Sequence, residues 1–535
     1  MTGQTFDAGT FDYIVVGAGS AGCVVASRLS EDPGVRVALI EAGDPDDDPE
    51  IRVPFASPGF FGSALDWAFD TTAQPGLAGR EIYWPRGRTL GGSSSINFQM
   101  WVPGGAVDFE AWVAAAGGLW AWSAVEPYFR RAERWAGARE DGHTHGQHGP
   151  LWISMPRDPD PSTEVFLDAC VETGLKPIAG GLGGPDTSGC AISPVNQLDG
   201  ARWSAADGYL RPALRRENLT VVTGQLVRRV VLDADRRAVG VELGYGLLRA
   251  LREVVLCAGT VGSPQVLMRS GVGEPESLGR AGIRPRVELP GVGRNLRDHL
   301  ILDLAVRARG PLRFTGVNGR ASRRRYEQER LGPLTSNIGE AVAFLRADGQ
   351  VGAPDLEFIW SPVAFGADGG VLDGYTLGVV LLQPESHGRI DLTGADPAAA
   401  PAIDPGYLTA EADLRTYLTG VRLAERLLAT EALRPLVGDP LGPWAFGLSD
   451  EACEALVREN AQTVFHPVGT CRMGRPDDPD AVVDPWLRVR GVTGLRVVDA
   501  SVIPRLPRGH THAHAVMIGE RGADLIRERT SPAGH

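Results

Sequence analysis

The chain has 535 residues, of which 43% are apolar and 22% charged, with a net charge of −13. Those figures suit a globular protein of roughly three to four average-sized units and exclude a disordered chain. The acidic balance argues against a nucleic-acid partner, because phosphate backbones are bound by clustered Lys and Arg.

The first forty residues carry the strongest local signal. Tyr13–Val16 is a short apolar run suited to a buried parallel strand. Gly17, Gly19 and Gly22 form G-x-G-x-x-G, and Ser20–Leu29 has helical periodicity ended by Pro33-Gly34. Val35–Ile40 is the second strand, with Glu41 at its end. In such a strand–turn–helix–strand unit the glycines allow a tight turn, a pyrophosphate approach and close helix–strand packing. The helix N-terminus holds the phosphates. Glu41 is placed to accept from both ribose hydroxyls, which disfavours a 2′-phosphate and points to FAD or NAD rather than NADP.

Residues 70–92 are rich in turns, and "GHTHGQHGP" (142–150) brings His143, His145 and His148 into what reads as a surface loop. Strands are expected in "LTVVTG", "LVRRVVL", "AVGVEL" and "REVVLCAG" within 220–259. Ser263-Pro264 reads as an N-cap with proline at the first helical position, opening a short helix to Ser270. Residues 311–460 mix alternating segments ("DLEFIW", "TLGVVLL", "GRIDL") with a helix over Leu414–Leu428, a texture suited to an antiparallel sheet covered by helices. "RASRRRYEQER" (320–330) reads as a solvated face. After residue 460, "LRVVDASVIP" is a strand and turn, and "AHAVMIGERGADLIRER" is a helix. Six cysteines without C-x-x-C spacing indicate neither a disulfide framework nor a zinc site. No apolar leader precedes the first strand and no run of eighteen apolar residues exists, so a cytoplasmic protein without membrane contact is expected.

Five segments then appear in order: "PRGRTLGGSSSINFQMWVPG", "GTVGSPQVLMRSGVG", "PGVGRNLRDH", "FHPVGTCRMG" and "VVDASVIP". With these, the chain resembles the glucose–methanol–choline family of flavin oxidoreductases over about residues 12 to 527. The resemblance implies an α/β fold: a Rossmann-like FAD-binding domain (1–155, 200–310 and 461–535) and a substrate domain of mixed or antiparallel sheet covered by helices (156–199 and 311–460). It implies FAD held by Gly17, Gly19, Ser20, Gly22, Glu41 and Arg88, with Gly91, Gly92, Ser95 and Asn97 along the isoalloxazine. Val227 would meet adenine through its backbone, Asp499 would face the ribityl chain, and Ala258, Ala500, His510 and Thr511 complete the set. Some members attach the flavin to a histidine in this glycine–serine stretch. Ile96 stands there in this chain, so non-covalent FAD is expected.

His466 aligns with the family's catalytic histidine, and His510 with the second member of the pair. Oxidising an alcohol needs a base for the hydroxyl proton and a hydride acceptor for the α-carbon. A histidine, with pKa near about 6.5, suits the first role, and the cofactor carries the second. The expected reaction is oxidation of an alcohol, primary and aromatic or otherwise apolar, to the aldehyde, with O2 or another acceptor reoxidising the flavin. The alternatives are a hydroxynitrile-type lyase that keeps FAD without net redox, and a flavoprotein that binds a partner. Met100, Glu340, Val464 and Phe465 are candidate pocket walls, as are Trp101, Trp360 and Phe365. Glu340 is read equally as an internal ion partner, and His299 as structural. His510, His512 and His514 run from the Gly509 turn into a helix. The family more often has Asn and Pro at the last two positions, and no metal is expected there.

Overall fold

The computed structural model describes residues 7–137, 145–178, 182–183, 188–350, 352–366 and 369–528. The chain opens with β1 (Asp7–Val16), α1 (Ser20–Leu29) and β2 (Val37–Ile40), the unit read from the sequence, with a longer first strand. β1 pairs in parallel with β2 and with β3 (Gly246–Leu256). The first sheet has seven strands. Leu219–Val222 lies outside β2, Leu495–Val497 lies on β3, and Ala238–Leu243 and Arg229–Leu232 return antiparallel on the far side of β3. The central strands β1 and β2 are buried on both faces, which explains their unbroken apolar runs.

After β3 comes α2 (Gly259–Arg269). The helix does not begin at Ser263 as its sequence suggests. Ser263 Oγ instead donates to Asp499 and accepts from Ala258 N, and Pro264 sits inside the helix. Pro264 removes the donor that would have bonded the Thr260 carbonyl, and that carbonyl accepts instead from Thr470 Oγ1 at 2.6 Å.

The second sheet also has seven strands and is antiparallel throughout. β4 (Leu300–Ala308) pairs with Gly374–Leu381, which pairs with β5 (Leu356–Ser361), then Ala341–Leu345 and Gly189–Ile192. The helix Glu411–Leu428 covers this sheet: Gly420 sits against Leu356 and Val379, and Tyr417 OH donates to the Val379 carbonyl. "GRIDL" stands apart from that sheet, pairing with Ala402–Asp404 and, at Gly388, bridging to Leu296. "RASRRRYEQER" is helical over Arg320–Glu329 and, except at Tyr326, largely exposed or half-buried.

The last helix, α3 (Thr511–Glu528), returns to the first half. Gly519 lets it pack on α1, since a Cβ there would lie 2.9 Å from Val24 and 3.0 Å from the Ala21 carbonyl. Fully buried Glu520 on α3 is paired with Arg28 and Arg131 at 2.7 and 2.6 Å and accepts from Tyr209 OH at 2.6 Å. None of the described helices is long and apolar enough to cross a membrane.

Candidate active site

A cavity of about 690 Å³ runs from the β1–α1 turn to the N-terminus of α3. Its nucleotide end is made largely of backbone. Gly17, at φ +96°, turns the chain where a Cβ would strike the Cys257 carbonyl at 2.6 Å. Gly19 faces the cavity, and a Cβ there would come no nearer than 4.0 Å to protein. The first turn of α1 has no side-chain cap and no acidic residue, so its N–H groups are left for an anion. Glu41 lies on the wall, where its Oε2 accepts from Ala18 N at 2.8 Å and its Oε1 from Gly43 N at 2.9 Å. Burial pushes its carboxyl pKa up, against those backbone donors. Glu41 therefore also locks the turn, a role beyond the ribose contact expected of it.

Ser20, Arg88, Gly92, Asn97, Val227, Ala258, Asp499, Ala500 and Thr511 all line the same cavity. Three expected cofactor residues do not. Gly22 packs on the Gly17 carbonyl, which a Cβ would approach to 1.8 Å. Gly91 holds a left-handed turn at φ +85°, and the buried Ser95 hydroxyl donates to the Leu90 carbonyl. They shape the wall without reaching the space. Asp499 reaches the wall with both oxygens engaged: Oδ2 accepts from Gly259 N and Ser263 Oγ, Oδ1 from Ser501 N and Oγ. It pins α2 to the turn after Val497.

At the other end the cavity is made of side chains. His466 and His510 face each other with ring centroids 4.6 Å apart. The segment carrying His466 is held tightly. Asp298 accepts from His466 N at 2.8 Å, Thr463 Oγ1 at 2.6 Å and Tyr407 OH at 2.5 Å. Phe465 occupies the left-handed region at φ +68°, with its carbonyl held by Arg86 at 2.9 Å. Such a conformation is costly for an aromatic residue and persists only when its surroundings over-determine it. His466 Nδ1 lies 3.0 Å from His299 Nδ1, and His510 Nε2 lies 3.0 Å from Oε1 of the fully buried Glu357. Burial, with the neighbouring His510 and His299, pushes the His466 pKa well below the ordinary histidine value.

Met100, Val464 and Phe465 line this end as expected, joined by Phe61 and Phe98. The three phenylalanines contact one another, with centroids 5.4 Å (Phe61–Phe465), 6.0 Å (Phe61–Phe98) and 6.3 Å (Phe98–Phe465) apart. Ile96, where a flavin-linked histidine would stand, is buried on the cavity wall. Glu340 is not on the wall. It is fully buried and accepts from Asp160 N, Thr163 Oγ1 and Ser336 Oγ at 2.6–2.7 Å, a clamp between the second sheet and the segment leading into the helix Pro161–Glu172. Trp101 and Trp360 are fully buried core residues donating to Glu133 and Ser162, and Phe365 stacks on Phe55.

The remaining histidines part company. His145 is not in an exposed loop: it is buried, stacked on Trp135 at 4.1 Å and bonded to Glu133. His148 is exposed, and His143 lies outside the described residues. His512 lines the cavity with Nδ1 2.9 Å from Ser20 Oγ. His514 is enclosed by Phe109, Trp112 and Phe129 and donates from Nδ1 to the His510 carbonyl. Burial lowers the pKa of His512 and His514 to about 4.

Sequence reasoning missed Glu357, Asp298, Phe61 and Phe98. Glu357 did leave a signal, an acid inside the otherwise apolar strand "LEFIW". The phenylalanines left none, because isolated aromatics are ordinarily core.

The chain matches the GMC oxidoreductase family over residues 11–301 and, through the family's C-terminal part, over 384–519. It belongs to the GMC oxidoreductases. It is 46% identical over 528 residues to an uncharacterized GMC-type oxidoreductase of Mycobacterium tuberculosis, covering 96% of this chain and 99% of that one. It is 38% identical to an alcohol dehydrogenase [acceptor] of Pseudomonas putida, covering 98% and 97%. The fold is similar to that of pyridoxine 4-oxidase from Mesorbium loti, with a TM-score of 0.88 and 33% identity over 97% and 99% of the two chains. This GMC protein is thus an FAD-dependent oxidoreductase, and the uncapped α1 N-terminus and the open space over Gly19 fit that cofactor's pyrophosphate.

Proposed function

We propose that this oxidoreductase converts a primary alcohol on an aromatic or otherwise apolar frame to the aldehyde. The observation that carries this reading is the His466–His510 pair, 4.6 Å apart, facing a cavity end walled by Phe61, Phe98 and Phe465. FAD, bound without a covalent link, supplies the two-electron acceptor, and O2 or another acceptor reoxidises it. Gly17, Gly19 and Ser20 would hold the pyrophosphate, Glu41 and Arg88 the ribose side, Val227 the adenine, and Gly92 to Asn97 the isoalloxazine. Gly22, Gly91 and Ser95 support that site from behind.

His466 takes the hydroxyl proton. Burial keeps its imidazole neutral at neutral pH, so it is ready to accept. His510, anchored on Glu357, holds the alcohol oxygen and fixes where the α-carbon lies. The phenylalanines exclude water and favour a flat apolar substituent. We propose the same division of labour between the two sheets as between cofactor and substrate parts, with β4 counted in the substrate part because its partners lie there.

Anaerobic mixing with a panel of aryl, alkyl and quaternary-ammonium alcohols tests the reading. Bleaching of the flavin is expected to be fastest with aryl primary alcohols. Admitting air and assaying peroxide then separates oxidase from dehydrogenase. A flavin that no alcohol bleaches, in a protein that cleaves mandelonitrile, would replace the reading with that of a lyase.

A further inference from the structure

The base needs its lone pair on a particular nitrogen. A neutral imidazole carries one proton on either Nδ1 or Nε2, and its hydrogen-bond partners decide which. His466 turns Nδ1 away from the cavity toward His299, at 3.0 Å, so Nε2 is the nitrogen left for substrate. We propose that His299 is the positioning residue that places the proton on Nδ1 of His466 and so keeps Nε2 free as the base. This deepens the reading of His466 as the proton acceptor and rests on it.

The chain of hydrogen bonds starts at a carbonyl. His299 Nε2 lies 3.0 Å from the Leu382 oxygen, which only accepts, so His299 carries its proton on Nε2. His299 is fully buried, and burial together with the neighbouring His510 drives its pKa down to about 3. It is therefore neutral at neutral pH, and its Nδ1 is an acceptor. The group facing that acceptor at 3.0 Å must donate, which puts a proton on His466 Nδ1. The reverse tautomer of His466 would set two lone pairs face to face inside the protein and leave both without a donor. Asp298, the preceding residue, fixes the same histidine through its backbone N–H. Two consecutive side chains thus set the position and the tautomer of one imidazole.

His510 is anchored through the opposite nitrogen. Its Nε2 lies 3.0 Å from Glu357 Oε1, so Nδ1 is its cavity-facing atom. The two imidazoles differ in partner and in the nitrogen they present.

The test uses the FAD-loaded protein labelled with 15N-histidine, since imidazole nitrogens with and without a proton resonate far apart. His466→Gln identifies the His466 signals. The expected result is Nδ1–H with an unprotonated Nε2. His299→Leu, which cannot accept, should lower the ratio of Nδ1–H to Nε2–H about tenfold, the worth of one neutral hydrogen bond. It should slow alcohol-driven flavin reduction in proportion to the lost Nδ1–H fraction, with substrate half-saturation unchanged. His299→Asn retains an acceptor near the Nδ1 position and should restore most of both. A proton on Nε2 of His466 in the native protein overturns the proposal, as does a native tautomer with a native reduction rate in His299→Leu. Where that variant does not fold, the native spectrum and His299→Asn decide. A flavin that no alcohol reduces, beside the expected tautomer, removes the alcohol reading and leaves the assignment of the proton standing.

Discussion

The two ends of the cavity are built on different principles. The nucleotide end is continuous in sequence and made of backbone: Gly17, Gly19 and the first turn of α1 lie within a few residues of each other. The histidine end gathers side chains from six distant places, at Phe61, Phe98, Asp298–His299, Glu357, His466 and His510. Backbone sites tolerate little change of shape, because a single Cβ overlaps a carbonyl. Side-chain sites tolerate changes of shape but depend on each hydrogen-bond partner being of the right kind. On the proposed reading, the first end recognises a fixed cofactor and the second tunes one proton.

Five substitutions would break or sharpen this contrast. His466→Ala should slow flavin reduction by roughly 10²- to 10⁴-fold, the usual worth of a positioned base, while FAD stays bound. Stopped-flow absorbance under anaerobic conditions measures the first and the visible spectrum the second, and native-like reduction in this variant would remove the mechanism. Gly22→Ala should act at the other end. With a Cβ 1.8 Å from the Gly17 carbonyl, it should cost stability by about 1–3 kcal/mol, as overpacking does, and release FAD. Gly19→Ala has no protein neighbour nearer than 4.0 Å, so it should melt like the native protein when FAD-free and lose only affinity for the cofactor. Equal melting losses in the two variants would contradict that division.

Glu357→Gln should slow reduction roughly 10-fold, the worth of about one hydrogen bond, with a melting temperature near that of the native protein. A native rate would mean that His510 needs no anchor. The smallest effect concerns pH. His514 is held at about 4 in the folded protein, against about 6.5 when unfolded. The unfolded chain therefore binds more protons, and stability falls as pH drops below about 6.5. Between pH 6.5 and 5 this residue should account for a loss of about 2 kcal/mol. His514→Phe should flatten that acid limb in denaturant titrations at several pH values, and an unchanged limb would mean that His514 is not the group responsible.

These contrasts also explain which parts were legible beforehand. β1, α1 and β2 were visible because burial on both faces demands unbroken apolar runs and the turn demands glycine. The strands within 220–259 and the helix beside the second sheet followed from the same periodicities. Ser263-Pro264 misled, since that serine serves Asp499 rather than capping a helix. Glu340 could not be placed from sequence, because an acid beside small polar residues looks the same whether it lines a pocket or clamps two segments.

By itself the sequence determined the dinucleotide fold, the pair of histidines and the family. Each of these rests on local spacing or on motifs kept in register along the chain. Only the tertiary structure decided what the histidines do for one another. It brought Leu382 and His299 behind His466, put Glu357 behind His510, and separated His512 on the cavity wall from His514 among aromatic rings. A histidine's role depends on which nitrogen carries the proton, and for His466 and His510 that is set by partners more than 150 residues away along the chain.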